Sequence, residues 1–156
     1  NNGFSQANTG VPGAKIAGEL GGFPYWATTA APVKQFATVM AKYQPQATYD
    51  NAETTAAWAE LQLFKQALSK TTGNVTPATV TKAYNTNVKN VTLNGLLPKP
   101  ITFSATTKGQ PNVTCYWLFK WKVGQKTPTT ATVGKSGNGM SGALQSTCQT
   151  AAQLGK

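Results

Sequence analysis

Residues 21–68 constrain the fold most, because a short aromatic run with a central proline is followed there by two segments of helical periodicity. The run at residues 21–26, Gly-Gly-Phe-Pro-Tyr-Trp, predicts an edge or crossover strand, since proline cannot donate to a sheet ladder. A helix is predicted to begin at Pro32, whose fixed φ suits the first helical position. Its apolar positions recur at helical spacing: Val33, Phe36, Val39 or Met40, and Tyr43.

A second helix is predicted after Pro45, with Asp50 or Asn51 as its N-cap and Glu53 in its first turn. A carboxylate in that turn lies at the positive end of the helix dipole. Four apolar residues repeat at helical spacing and predict the stripe that faces the core. They are Ala57, Leu61, Phe64 and Leu68.

One more helix and two β-prone segments are predicted in the following sequence. Thr76 can cap a helix that opens at Pro77 and ends near Asn90. Its apolar side contains Val80, Tyr84 and Val88. Residues 101–104 are β-prone, and residues 115–123 give the clearest strand. One face of that strand is predicted to be buried and contains Cys115, Trp117, Phe119, Trp121 and Val123.

The composition favours an exported protein with one domain-sized core. The chain has 156 residues, of which 40% are hydrophobic and only 12% are charged. That length is enough for one core. No apolar run approaches the roughly 18 residues that a membrane-spanning helix requires.

The net charge of +10 comes entirely from lysine, because the chain contains no arginine. Arginine is the residue preferred for bidentate recognition of phosphates and bases, so its absence argues against nucleic acid as a partner. Lys120 and Lys122 are the only clustered pair, and they alternate on one strand, where they are typical of a solvated edge. An acidic membrane surface or a polyanionic cell wall is the alternative partner for such a charge.

The residue inventory argues against an enzyme. Without histidine, neither a Ser-His-Asp nor a Cys-His arrangement is possible. The carboxylates number four, and the pair Asp50 and Glu53 is better explained by helix capping than by acid-base chemistry. Two cysteines without histidine also cannot supply the ligands of a usual zinc site. No metal and no cofactor are therefore expected.

The two cysteines, Cys115 and Cys148, allow a single pairing. In an extracytoplasmic protein they would form a disulfide that closes a loop of about 33 residues and stabilises the fold by roughly 3 to 4 kcal/mol. It would fasten the polar tail to the aromatic strand. The alternative is a pair of reduced thiols, with Cys115 buried and Cys148 exposed.

The order of these elements resembles the C-terminal portion of type I periplasmic or extracellular solute-binding proteins, in particular the branched-chain amino acid and amide-binding family of ABC transporters. The likeness extends over about residues 13–123 and includes a predicted helix at residues 13–20. The segments that carry it are Ile16–Phe23, Tyr49–Leu68, Thr76–Val88, Leu93–Leu96, Ile101–Phe103 and Tyr116–Trp121.

The resemblance implies an α/β fold with helices packed on a mainly parallel sheet, as the C-terminal part of a two-lobed protein whose N-terminal part is missing from this chain. Residues 1–26 would end the second lobe and cross over, and residues 27–104 would belong to the first lobe. Residues 105–130 would be return strands of the second lobe, with residues 131–156 as a polar tail.

The resemblance also implies a ligand site in the cleft between lobes, near the start of the second helix. An amino acid's carboxylate would be bound there by backbone N–H groups, and aromatic side chains would enclose the ligand. The implied ligand-binding residues are Tyr49, Asp50, Asn51, Glu53 and Thr55, with Tyr25 and Trp26 as further candidates.

The function predicted from this resemblance is extracytoplasmic capture of a small polar metabolite, such as an amino acid or amide, for delivery to an ABC permease. The alternative is a secreted structural or adhesive protein that uses the fold for self-assembly or for binding cell-surface polymer. The Thr/Gly/Ser-rich segment at residues 127–142 and the lysine-only charge favour that alternative.

Overall fold

A computed structural model describes residues 15–20, 22–46, 52–106, 114–122, 129–131 and 144–149. Three helices lie between the first and second strands of the described chain. The helices are α1 (Ala31–Tyr43), α2 (Ala52–Leu68) and α3 (Pro77–Asn87). The strands are β1 (Lys15–Leu20), β2 (Cys115–Lys122), β3 (Thr129–Ala131) and β4 (Thr147–Cys148).

The sheet is built around β2, and its described strand pairings are all antiparallel. β1 and β3 pair with β2, while β4 pairs with the first two residues of β2. The predicted mainly parallel sheet is therefore not found among the described residues. The chain leaves β1 at Leu20, which lies opposite Trp117 near the start of β2. Because the helical unit returns the chain to the end of the sheet from which it left, β2 has to run against β1.

Two local predictions at the start of the described chain were wrong. Residues 15–20 form a strand instead of part of a helix, and they pair with β2 from Lys15–Lys122 to Leu20–Trp117. Glycine at position 18 disfavours a helix by about 1 kcal/mol relative to alanine, and the backbone of β2 supplies a long-range partner. Residues 22–26 form a bend and a turn instead of a strand, closed by a 3.1 Å hydrogen bond from the Ala27 N–H to the Pro24 carbonyl.

Helix α1 confirms the prediction made from its proline and its apolar spacing. Pro32 lies in its first turn, and Val33 and Phe36 are fully buried. The Phe36 ring meets Phe23 edge-on at 5.2 Å and Trp58 of α2 at 5.3 Å between centroids. This aromatic cluster joins α1, α2 and the segment after β1 into one core. Tyr43, at the end of the predicted stripe, is instead 65% exposed.

Helix α2 buries a different face from the predicted one. Its inward face contains Thr55, Ala59, Leu63 and Ala67, which are all buried. The predicted stripe is largely outside: Leu61 is 64% exposed and Phe64 is 42% exposed, against 8% for Leu63. Both faces carry apolar residues at helical spacing, so the pattern alone could not choose between them. Packing against the rest of the core decides which face is buried.

Helix α3 begins as predicted and is tied to α2 at its far end. Thr76 caps it, since its hydroxyl accepts from the Thr79 N–H at 3.2 Å while the Thr79 hydroxyl accepts from the Thr76 N–H at 2.7 Å. At the other end, the Asn87 side-chain amide donates to the Ala67 carbonyl at 2.7 Å. That bond satisfies one of the carbonyls left unpaired at the C-terminus of α2.

Residues 88–103 form a narrow hairpin after α3. Val91 and Ile101 exchange backbone hydrogen bonds of 3.0 and 2.9 Å, and the Phe103 N–H donates to the Val88 carbonyl at 3.0 Å. The β-prone segment predicted at residues 101–104 therefore contributes a single bridge. At its tip, a 3-10 turn at Leu93–Gly95 has three consecutive positive φ values, 52°, 56° and 94°.

The disulfide predicted as one of two alternatives is present. Cys115 and Cys148 are bonded where they lie opposite each other in the β2–β4 pair. Nearby, the Ser146 hydroxyl donates to the Pro98 carbonyl at 2.5 Å, and Leu144 belongs to the hydrophobic core. Residues 144–149, which lie in the predicted polar tail, thus contribute to the packing of the fold.

Tyr84 of α3 gives the stability of the fold an expected dependence on pH. The Tyr84 ring packs edge-on against Phe103 at 5.1 Å between centroids. Burial, with a smaller contribution from the Glu60 carboxylate, raises the pKa of Tyr84 above its ordinary value of 10.0. The folded state therefore favours neutral Tyr84, and the resulting stability should be complete below about pH 10 and lost as the pH rises past it.

We expect Tyr84→Phe to reduce the alkaline loss of stability, because phenylalanine has no proton to lose. Urea unfolding at about pH 8 and pH 10.5 checks this, with Tyr43→Phe as the control because the Tyr43 ring is largely exposed. Equal alkaline losses in the wild type and in Tyr84→Phe would contradict the assignment.

Candidate functional site

The ligand-binding residues predicted at the start of α2 occupy different environments. Tyr49, Asp50 and Asn51 lie outside the described residues. Glu53 is exposed in the first turn of α2, where a hydrogen bond from its own backbone lowers the pKa of its carboxyl. Thr55 is fully buried on the inward face, so a ligand cannot reach its hydroxyl in this structure. Of these described residues, Glu53 is the one whose side chain is exposed.

The other two candidates, Tyr25 and Trp26, form the turn that connects β1 to the helical unit. Both are half-buried, and their rings meet edge-on at 5.0 Å between centroids. Trp26 also packs against Phe119 of β2 at 6.0 Å. The two rings therefore cover the point where the chain passes from the sheet to the helices, and both belong to the layer that packs around the hydrophobic core.

The sequence-based prediction missed a groove of about 510 Å³ along the other half of α2. Three segments separated in the chain line it: the start of α1, the Trp58 to Ser69 face of α2, and the hairpin segment at residues 89–96. Its volume falls within the usual range of small-molecule pockets, about 300 to 1,000 Å³. Glu53 lies in the first turn of α2, whereas the groove extends from Trp58 past the end of the helix to Ser69.

Polar side chains from all three segments line the groove. Gln35 comes from α1, Gln62, Lys65 and Gln66 come from α2, and Lys89 comes from the hairpin. Among the described residues that line it there is no carboxylate. The groove therefore offers amide groups and positive charge to whatever enters it.

The groove-lining residues of α2 left a signal in the sequence. Trp58, Gln62 and Gln66 recur at intervals of four, and Lys65 and Ser69 lie on the same side of a helix with 3.6 residues per turn. This polar stripe lies between the buried face and the exposed apolar face. Its partners from α1 and the hairpin have no such signal, because their approach to α2 depends on the tertiary fold.

The described residues contain no group of three or more histidine, cysteine, aspartate or glutamate side chains that could hold a metal ion. No helix within the described part of the chain is long and apolar enough to cross a membrane.

Most of the chain matches a known protein family. The family described as periplasmic binding protein matches residues 3–128, which include β1, all three helices and β2. The chain belongs to the periplasmic binding protein family. The resemblance to type I solute-binding proteins of the branched-chain amino acid and amide group is therefore confirmed. No curated protein and no solved structure matches this binding protein.

Membership of the family has two general consequences. Periplasmic binding proteins are extracytoplasmic, which agrees with the disulfide between Cys115 and Cys148. The family typically binds solutes and is typically not enzymatic.

Proposed function

We propose that this binding protein captures a small polar metabolite, such as an amino acid or an amide, outside the cytoplasm and delivers it to an ABC permease. The family match carries the proposal, because it includes both strands that bracket the helical unit. The disulfide supports a periplasmic, cell-surface or secreted location.

The antiparallel β1–β2 pair supports a hinged arrangement. The chain enters the helical unit after Leu20 and returns to the sheet at Cys115, so both connections lie at one end of the same strand pair. Two adjacent connections of this kind are typical of lobes that close around a ligand. In this structure Phe23 and Trp117 share one hydrophobic core with the helices, so opening the lobes would separate part of that core. In this proposal residues 1–26 and 105–130 belong to one lobe, residues 27–104 belong to the other, and residues 131–156 form the tail.

The proposed ligand contacts are at the start of α2. Tyr49, Asp50, Asn51 and Glu53 would meet the ligand, and Thr55, which is buried in this structure, would need to become accessible to join them. A helix start presents unpaired backbone N–H groups, which suit the carboxylate of an amino acid. Tyr25 and Trp26 would border the cleft at the crossover.

The exposed apolar face of α2 is a candidate surface for packing against another part of the protein. Ala57, Leu61 and Phe64 form this face, and each is exposed. Isolated exposed apolar residues are ordinary, but an apolar stripe along a helix is typical of a packing surface. We assign this surface to packing against another part of the same protein, N-terminal to the segment described here.

A thermal-shift screen with amino acids and amides tests the proposed function. A ligand at about 100 times its Kd should add about 2.7 kcal/mol to the free energy of unfolding. For a chain of this size that corresponds to a rise in Tm of about 5 to 10 °C. Asp50→Asn should reduce the shift, whereas Glu60→Gln, a charge-neutralising change within α2, should retain it.

Absence of a shift with every amino acid and amide would contradict the proposal. If such a result came with concentration-dependent self-association on size-exclusion chromatography, the structural or adhesive alternative would be favoured instead.

A further inference from the structure

We propose that the groove along the second half of α2 is a separate binding site for a small hydroxylated acid, of the class of sugar carboxylates. The site goes beyond the proposed function, because its residues are distinct from those at the start of α2.

The charges around the groove select an anion. Lys65 of α2 and Lys89 of the hairpin both line it, so positively charged residues stand on two of its walls. Lys89 donates to the Phe103 carbonyl at 2.6 Å. An ammonium has three N–H donors, so this bond anchors Lys89 and leaves two donors for a ligand.

The acidic residue nearest in sequence lies on another side of α2. Glu60 acts on Tyr84 of α3, where its charge contributes to the raised pKa of the tyrosine. Because Glu60 follows Trp58 by two residues, it lies about 200° around the helix from that groove-lining side chain. The carboxylate of Glu60 therefore does not neutralise the lysines in the groove, and a carboxylate ligand can form charge-assisted hydrogen bonds with them.

The remaining groups suit hydroxyls and an apolar ring face. Gln35, Gln62 and Gln66 offer both donors and acceptors, as a sugar hydroxyl requires. Trp58 adds an aromatic side chain to the lining of the groove, and its ring also packs edge-on against Phe36 at 5.3 Å between centroids. Amides beside an indole favour a polyhydroxylated ring over a purely aliphatic acid.

The hairpin side of the groove is held in an unusual conformation. Asn90, Leu93 and Asn94 line the groove and have φ values of 55°, 52° and 56°. A left-handed backbone is unfavourable for leucine, because its Cβ lies too close to the following carbonyl oxygen. The Leu97 N–H and the Gly95 N–H both donate to the Thr92 carbonyl at 3.0 Å and keep the turn closed. The rim is therefore formed before a ligand arrives, which lowers the ordering cost of binding.

Isothermal titration with D-galacturonate and with D-galactose tests the site, since the two sugars differ mainly by the carboxylate. We expect galacturonate to bind at least about tenfold more tightly than galactose, because only galacturonate engages the lysines by charge-assisted bonds. Lys65→Gln should weaken galacturonate binding by a similar factor. Lys34→Gln removes a lysine on α1 that does not line the groove and should leave the affinity unchanged.

Three outcomes would overturn the site: no galacturonate binding at millimolar concentration, equal binding of the two sugars, or full affinity in Lys65→Gln. A second readout is the indole N–H resonance of Trp58, assigned with Trp58→Phe, which should shift with galacturonate. Asp50→Asn separates this site from the proposed cleft, because it should reduce the response to amino acids and leave galacturonate binding intact.

Discussion

Replacing Leu63 by alanine is expected to lower the free energy of unfolding by about 2 to 5 kcal/mol, because the side chain lies in the core and its removal leaves a cavity. Leu63 is 8% exposed and belongs to the same buried cluster as Phe36 and Trp117. Chemical denaturation monitored by tryptophan fluorescence measures the change as a lower midpoint at an unchanged slope.

Leu61→Ala is the matched control for this prediction. It makes the same chemical change on the same helix, two residues away, but Leu61 is 64% exposed. Surface substitutions usually change stability by no more than about 0.5 kcal/mol. If Leu61→Ala proved the more destabilising of the two, the helix would bury the stripe predicted from the sequence and the described orientation of α2 would be wrong.

Reducing the disulfide between Cys115 and Cys148 is expected to lower the free energy of unfolding by about 3 to 4 kcal/mol, since the bond closes a loop of 33 residues and restricts the unfolded chain. Comparison of the oxidised and reduced wild-type protein in urea measures this without changing any side chain. We also expect amide exchange at residues 144–149 to accelerate most on reduction, because the bond ties these residues to β2.

The double variant Cys115→Ala/Cys148→Ala provides the control for reduction. It should match the reduced wild type in stability to within about 1 kcal/mol and should not respond to reductant. Equal denaturation midpoints for the oxidised and reduced proteins would contradict a stabilising role for the bond.

The loss of the disulfide and the loss of the Leu63 side chain should affect different parts of the molecule. Leu63 lies in the hydrophobic core on the buried face of α2, whereas Cys148 fastens residues 144–149 to the sheet. Leu144 nevertheless belongs to the same core cluster as Leu63. A variant that combines Leu63→Ala with reduction therefore measures how strongly the tail and the helical core are coupled.

Local chemistry made some elements predictable from the sequence. Pro32 and the Thr76-Pro77 pair marked two helix starts, because proline fits the first turn and threonine accepts a hydrogen bond from the backbone that follows. On the face of β2 predicted to be buried, Cys115 and Trp117 are buried and Phe119 is half-buried, because alternation distinguishes the two faces of a strand. The side chains of Trp121 and Val123 lie outside the described residues.

Other features could not be predicted because they depend on distant parts of the chain. Residues 15–20 form a strand through pairing with residues about one hundred positions later in the sequence, so a local window could not reveal it. Lys89 lines the same groove as Trp58 and Gln62 only because the hairpin folds back beside α2. The antiparallel direction of β2 likewise follows from the end of the sheet to which the helical unit returns.

The sequence by itself determined the helix starts near Pro32 and at Pro77, the burial of Cys115 and Trp117 in β2 and the only possible cysteine pairing, because each depends on neighbouring residues or on a simple count. The tertiary structure alone decided which apolar face of α2 is buried and which residues meet in the groove. Several faces of one amphipathic helix can satisfy the same local preferences, and only packing against the rest of the core distinguishes them.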